Sequence, residues 1–260
     1  MVLTNEATLP DYESRRGRHG PEGTARLNLV RLTRAYLYWF LPAGVLLALW
    51  SQWRLRSAYR RWSGQARAAR PLTGAGAARD ILDAAGLADV PIERTGGHLT
   101  DHYDPQTRTL RLSAVVHDTD SLAAVGIAAH EAGHALQHQV LYWPMQVRLR
   151  LLPLARLGAW LALPLMVAGL LLRVPPLMVI GAGSFLVLLT FQLITLPLEF
   201  DASRRAGRLL RERGLISPRE LVGVGEVLHA AAWTYIAAFT MTFVQLLRLL
   251  RWGRLIRPPF

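Results

Sequence analysis

Between residues 157 and 198 the chain carries a single charged side chain, Arg173, and this gap in charge constrains the fold more than any other feature. Uncharged apolar runs of this length are rare outside a bilayer, where about 20 apolar residues cross the hydrocarbon as a helix. Arg173, Pro175 and Pro176 interrupt the run, dividing it into residues 157–172 and 174–198. The two halves predict a helical hairpin that crosses the membrane and returns. A second uncharged run, residues 35–53, predicts a first transmembrane helix, with Tyr36, Tyr38, Trp39, Trp50 and Trp53 as interfacial aromatics and Pro42 inside it. Residues 227–247 are also uncharged but hold His229, Thr234, Tyr235, Thr240, Thr242 and Gln245. They leave two readings open, a fourth span or a helix packed over the active site.

Composition agrees once it is divided along the chain. Hydrophobic residues make up 52% and the mean hydropathy is +0.21, yet residues 1–34 and 54–70 are strongly polar. A formal net charge of +12, carried by Arg with no Lys, raises nucleic-acid binding as a possibility. Placement excludes it: Arg26, Arg31 and Arg34 precede one apolar run and Arg54, Arg56, Arg60 and Arg61 follow it, where they meet anionic headgroups. The absence of cysteine excludes thiolate ligands, a cysteine nucleophile and disulfides. Residues 1–25 lack a leading apolar run, so no cleavable signal peptide is expected.

From residue 54 to 144 the composition turns soluble. Residues 75–85 pattern as a helix stopped by Gly86, and 90–95 as a short strand. Residues 98–104 and 108–113, separated by Pro105, Gln106 and Thr107, predict a hairpin. Asp120 or Ser121 can then cap a helix that continues through Val140. The expected organisation is a disordered basic tail (1–34), a span (35–53), a catalytic region (54–156), the transmembrane hairpin (157–198), a helix (199–226), a span or core helix (227–247) and a basic tail (248–260).

The expected chemistry lies in AAHEAGHALQH, residues 128–138. His130 and His134 are four apart, so on a helix both imidazoles project from one face, close enough to share a zinc ion. Glu131 sits at the edge of that face, where its carboxylate reaches a water at the metal rather than the metal itself. Ala132 and Gly133 leave room beside the helix. A third protein ligand is needed to leave one coordination position open. The metzincin pattern wants Gly at 137 and His at 140; the chain has Gln137 and Val140. His138 lies about 12 Å of helical rise from His130, too far to share the ion, and is expected in a supporting or surface role. Glu199, in LPLEFDASRRA, is the expected third ligand, because a hairpin that crosses twice returns the chain to the side holding His130. Asp201 is its alternative, and both acids could instead cap a helix start.

Four segments carry a family resemblance: HLTDHYDPQTRTLRLS (98–113), AAHEAGHALQH (128–138), LPLEFDASRRA (196–206) and AAAWTYIAAF (230–239). In this order they resemble the YugP-like neutral zinc metallopeptidases of bacterial membranes, from residue 35 onward. The resemblance implies a mainly α membrane protein with three or four transmembrane helices and a zincin-like catalytic domain holding a small β-sheet. It further implies one zinc ion held by His130, His134 and Glu199, with Glu131 as general base. The chain is also distantly similar to the HtpX-type proteases, which have an E-x-x-x-D arrangement at the third ligand. Ser203 stands where that arrangement has Asp, so Asp201 or another group is expected to orient a ligand imidazole. The strand at 107–113 is expected as the edge strand that holds an extended substrate. Tyr235 or His229 is expected to stabilise the oxyanion.

Arg148, Arg150 and Arg156 precede the hairpin and Arg204, Arg205 and Arg208 follow it, while its turn holds Arg173 alone. The positive-inside rule then puts the active site on the cytoplasmic face of the inner membrane. The expected partners are the bilayer and a protein or peptide substrate, probed against an inactive metal-binding scaffold or adaptor as the competing function.

Overall fold

A computed structural model describes residues 21–64 and 71–255. The chain divides into two compact units, residues 1–43 and 44–260. Helix α1 runs Pro21–Gly64 with Pro42 inside it. The expected tail therefore turns helical at Pro21, while residues 1–20 lie outside the described residues. The first expected span falls within α1, and its side chains before Pro42 also lie outside them.

In the second unit, α2 (Gly74–Ala84) starts where the Thr73 hydroxyl accepts from the Gly76 amide at 3.1 Å. It stops before Gly86, whose φ of 72° only glycine adopts freely. Strands β1 (Ile92–Thr95), β2 (His102–Asp104) and β3 (Thr109–Ser113) follow. The Asp104 carboxylate shapes the β2–β3 turn, accepting from the Gln106 amide at 2.9 Å, the Thr107 hydroxyl at 2.8 Å and Arg111 Nη1 at 2.7 Å.

The sheet order is β1-β3-β2, with β1 parallel and β2 antiparallel to β3. This corrects the expectation that 107–113 form the edge strand: β3 is central, and β1 and β2 are the outer strands. The reason lies in the side chains. Leu110 and Leu112 of β3 are fully buried, whereas β2 is a short polar His-Tyr-Asp segment of the kind that edges tolerate.

A short helix α3 (Ala114–Asp118), not foreseen from the sequence, leads into α4 (Leu122–Gln139). Ser121 is the cap, its Oγ accepting from the Ala124 amide at 3.2 Å. Ala124, Ala128, Ala129, Ala132 and Ala135 of α4 are all buried. Because these side chains are small, α2, α6 and α7 all close on α4. The core there also takes Ile81, Leu82, Leu110, Leu112, Leu198 and Leu210.

Helices α5 (Trp143–Leu171), α6 (Pro175–Glu212) and α7 (Glu220–Leu255) are each long and apolar enough to cross a membrane, the last up to Arg248. The 227–247 run is thus a candidate span, and the expected basic tail is helical to Leu255. α5 and α6 form the expected hairpin. They approach closely: a Cβ at Gly158 would lie 2.9 Å from Ser184 O, and one at Gly181 2.7 Å from Met166 N. The outward faces carry Leu157, Trp160, Val179, Ile180 and Leu186, all exposed, as lipid-facing side chains are. The ligand helix expected at 199–226 is not separate. α6 continues unbroken from the apolar run to Glu212, so Glu199 and Asp201 cap no helix start.

Candidate metal centre

α4 presents His130 and His134 on one face, their rings edge to face with centroids 4.8 Å apart. α6 brings Glu199 to them: its Oε2 lies 3.2 Å from His130 Nε2 and 3.5 Å from His134 Nε2. The three candidate ligand atoms all lie within 4.8 Å of one another. Asp201, the alternative third ligand, is outside this group. Glu199 and His134 are buried and His130 is nearly so.

The imidazole orientations follow from a directional chain of hydrogen bonds. Gln137 Nε2 donates to Leu198 O at 3.0 Å and to Asp201 Oδ2 at 2.8 Å, and Arg205 Nε also donates to Asp201 at 2.6 Å. With its amide nitrogen committed to acceptors, Gln137 must turn Oε1 toward His134 Nδ1, 2.9 Å away. An amide oxygen only accepts, so His134 carries a proton on Nδ1, and its Nε2 is left turned toward the Glu199 carboxylate, where a neutral ring offers its lone pair to an ion. His130 Nδ1 meets the Ser203 hydroxyl at 3.1 Å, which leaves its Nε2 facing the same oxygen. Two nitrogen ligand atoms and a carboxylate oxygen converging in a buried place call for a cation between them. Two histidines and one glutamate form a known catalytic zinc set. Ligands about 2.0–2.1 Å from a tetrahedral zinc stand about 3.4 Å apart, and the observed 3.2 and 3.5 Å separations fit.

Glu131 is buried beside the cluster, its Oε2 accepting from the Tyr103 amide of β2 at 3.0 Å. Burial pushes its carboxyl up to about 7; His130 pulls against this, and the negative charges of Glu199 and Asp101 add to it. Asp101 is tied to Ser113, accepting from its amide at 2.7 Å and its hydroxyl at 2.9 Å. Arg148 Nη1 donates to Glu199 Oε1 at 3.2 Å, which holds the other carboxylate oxygen toward the histidines.

Two cavities meet at His130, Glu131, Glu199 and Tyr235. One, of about 150 Å3, has an apolar wall that includes Leu55, Leu99, Ile127, Val227 and Leu228. The other, of about 510 Å3, is walled by residues 101–106 together with Arg148 and Arg156. Tyr235 is thus brought to the site. His229 is not: it is exposed and lines a different cavity, so the expectation that it serves the oxyanion is corrected by its position one helical face away. His138 stands off the cluster, with its Nδ1 3.0 Å from the Tyr103 hydroxyl.

Sequence reasoning missed Gln137, Tyr103 and Arg148. Gln137 had a findable signal, since it lies three residues after His134 on the same helix and so within reach of its ring. The Tyr103 contact is made by a backbone amide and the Arg148 contact spans 51 residues, and neither leaves a local trace.

Residues 37–254 match the model of a family described as "Putative neutral zinc metallopeptidase". The chain is 42% identical over 213 residues, 82% of its length, to the "Putative membrane protease YugP" of Bacillus subtilis (strain 168), of which it covers 94%. No solved structure matches it. With the matched region holding the whole His130, His134 and Glu199 group, the chain belongs to this family of neutral zinc metallopeptidases.

Proposed function

We propose that this chain is a membrane-bound zinc-dependent endopeptidase in which His130, His134 and Glu199 hold one zinc ion and Glu131 is the general base. The observation that supports it most is the convergence of three ligand atoms within 4.8 Å beside a buried, unligated carboxylate. A zinc ion there supplies Lewis acidity, polarising a peptide carbonyl and bringing the pKa of water to about 7. Glu131, with one oxygen held by the Tyr103 amide, takes a proton from water on the other and returns it to the leaving amine. Tyr235 offers a phenol O–H to the developing oxyanion. Arg148 positions Glu199.

The proposed substrates are membrane-associated proteins or peptides, because the site adjoins helices that are apolar enough to lie in the bilayer. The proposed setting is the inner membrane with the site toward the cytoplasm, supported by the excess of Arg around the hairpin's open end over its turn.

Purified full-length protein, assayed for zinc content and casein hydrolysis, tests this. Glu131→Gln is expected to keep zinc and lose at least about 100-fold in rate. Glu199→Ala is expected to lose zinc. Unchanged hydrolysis in the first, or unchanged zinc affinity in the second, overturns the corresponding assignment. Wild-type protein that binds zinc and cleaves nothing favours the inactive scaffold.

A further inference from the structure

A separate cavity of about 960 Å3 lies between the C-terminal part of α6 and the start of α7. Its wall holds Arg54, Arg204, Arg208 and Arg211. Among the described residues, neither Arg208 nor Arg211 has an acidic partner. Arg204 reaches Asp201 only at 3.8 Å and is largely exposed. Arg54 Nε is buried without a hydrogen-bond partner, and its guanidinium rests over the Trp50 ring, 5.4 Å from the centroid. Of the two acids lining the cavity, Glu226 is engaged by Trp62 Nε1 at 2.8 Å and by Arg61 at 3.3 Å, which leaves exposed Glu212 against four arginines. The wall also holds the apolar Phe200, Leu221, Val222 and Leu228, and Val222 is 68% exposed.

Each wall sits where an apolar run ends. Arg54 follows residues 35–53, the α6 arginines follow 174–198, and residues 221–229 lead into the apolar part of α7. Unpaired guanidinium groups bind phosphate oxygens strongly, and apolar side chains beside them suit acyl chains. We propose that this cavity binds the phosphate headgroup of an anionic phospholipid, with its acyl chains along the exposed apolar rim. Ser203 and Leu228 line both this cavity and the apolar one at the metal cluster, so the bound lipid packs behind the wall that carries the His130 contact.

Delipidated full-length protein in detergent, titrated with phosphatidylglycerol or phosphatidylcholine and read by native mass spectrometry, tests the site. Phosphatidylglycerol is expected to be retained in preference. Replacing Arg208→Gln together with Arg211→Gln is expected to weaken that retention by roughly tenfold to thirtyfold, while Arg173→Gln, in the hairpin turn, leaves it unchanged. Zinc content reports that each variant is folded. Equal retention of the two lipids, or of phosphatidylglycerol by the double variant, overturns the proposal. Displacement of the lipid by millimolar inorganic phosphate overturns it in favour of a soluble phosphate ligand. If the double variant loses zinc, the wild-type lipid comparison and Arg211→Gln alone decide on the same terms.

Discussion

Gln137 decides that Nδ1 of His134 carries a proton. Its amide nitrogen is consumed by Leu198 O and Asp201, and the remaining oxygen can only accept, so the proton of His134 stays on Nδ1. Gln137→Leu keeps the volume and removes that constraint; Ser203→Ala removes the hydroxyl that meets His130 Nδ1. Each is expected to weaken zinc affinity by about 10- to 100-fold, measured by competition with a chromophoric chelator, because the imidazole loses the hydrogen bond that orients it. Affinity unchanged in both variants would show that the helix alone orients the rings. Ser203 was visible in the sequence as the occupant of a position four residues after Glu199. Gln137 was there too, but counted only as the absence of a metzincin glycine.

At the scale of elements, α4 and α6 approach through small residues. A Cβ at Gly133 would stand 3.0 Å from Ala202 O, a backbone atom that moves only if α6 moves. Gly133→Val is therefore expected to cost about 1–3 kcal/mol of stability and, since Glu199 rides on the displaced helix, to lower zinc affinity as well. Thermal unfolding and zinc titration of the same variant check both parts. In the sheet, Asp104 is held down to about 2, chiefly by its hydrogen bond to Arg111 and then, against the cost of desolvation, by Thr107 and Gln106. A carboxylate depressed on folding contributes stability above its ordinary pKa of 3.8 and loses it as pH falls through about 2. Asp104→Asn is accordingly expected to lower the Tm at pH 7, with the difference from wild type closing as the pH drops from 4 toward 2. A difference that stays constant over that range would assign the effect to turn geometry instead. The hairpin itself was legible from its polar turn. The order β1-β3-β2 was not, because β1 pairs in parallel from 18 residues away and nothing in its own four residues names a partner.

For the molecule as a whole, the candidate metal ligands tie α4 to α6 across 69 residues of chain, one helix packed beside the sheet and the other continuous with the candidate membrane-crossing hairpin. An ion that binds only the folded state stabilises it by about 4 kcal/mol at a thousandfold excess over its Kd. Chelation is expected to lower the Tm by several degrees, with full recovery on added zinc, and Glu199→Ala is expected to abolish that response. A Tm indifferent to chelator would separate the metal from the fold. The sequence by itself determined the elements that depend on local or periodic chemistry: the apolar runs that need lipid, the two imidazoles one helical turn apart, and the glutamate that a returning hairpin brings back to them. Only the tertiary structure decided which strand is central, which hydroxyl and amide orient the histidines, which aromatic reaches the cavity, and that the third ligand rides on an unbroken helix. Those outcomes depend on contacts between distant segments, where the energy belongs to the pair and neither partner's neighbourhood records it.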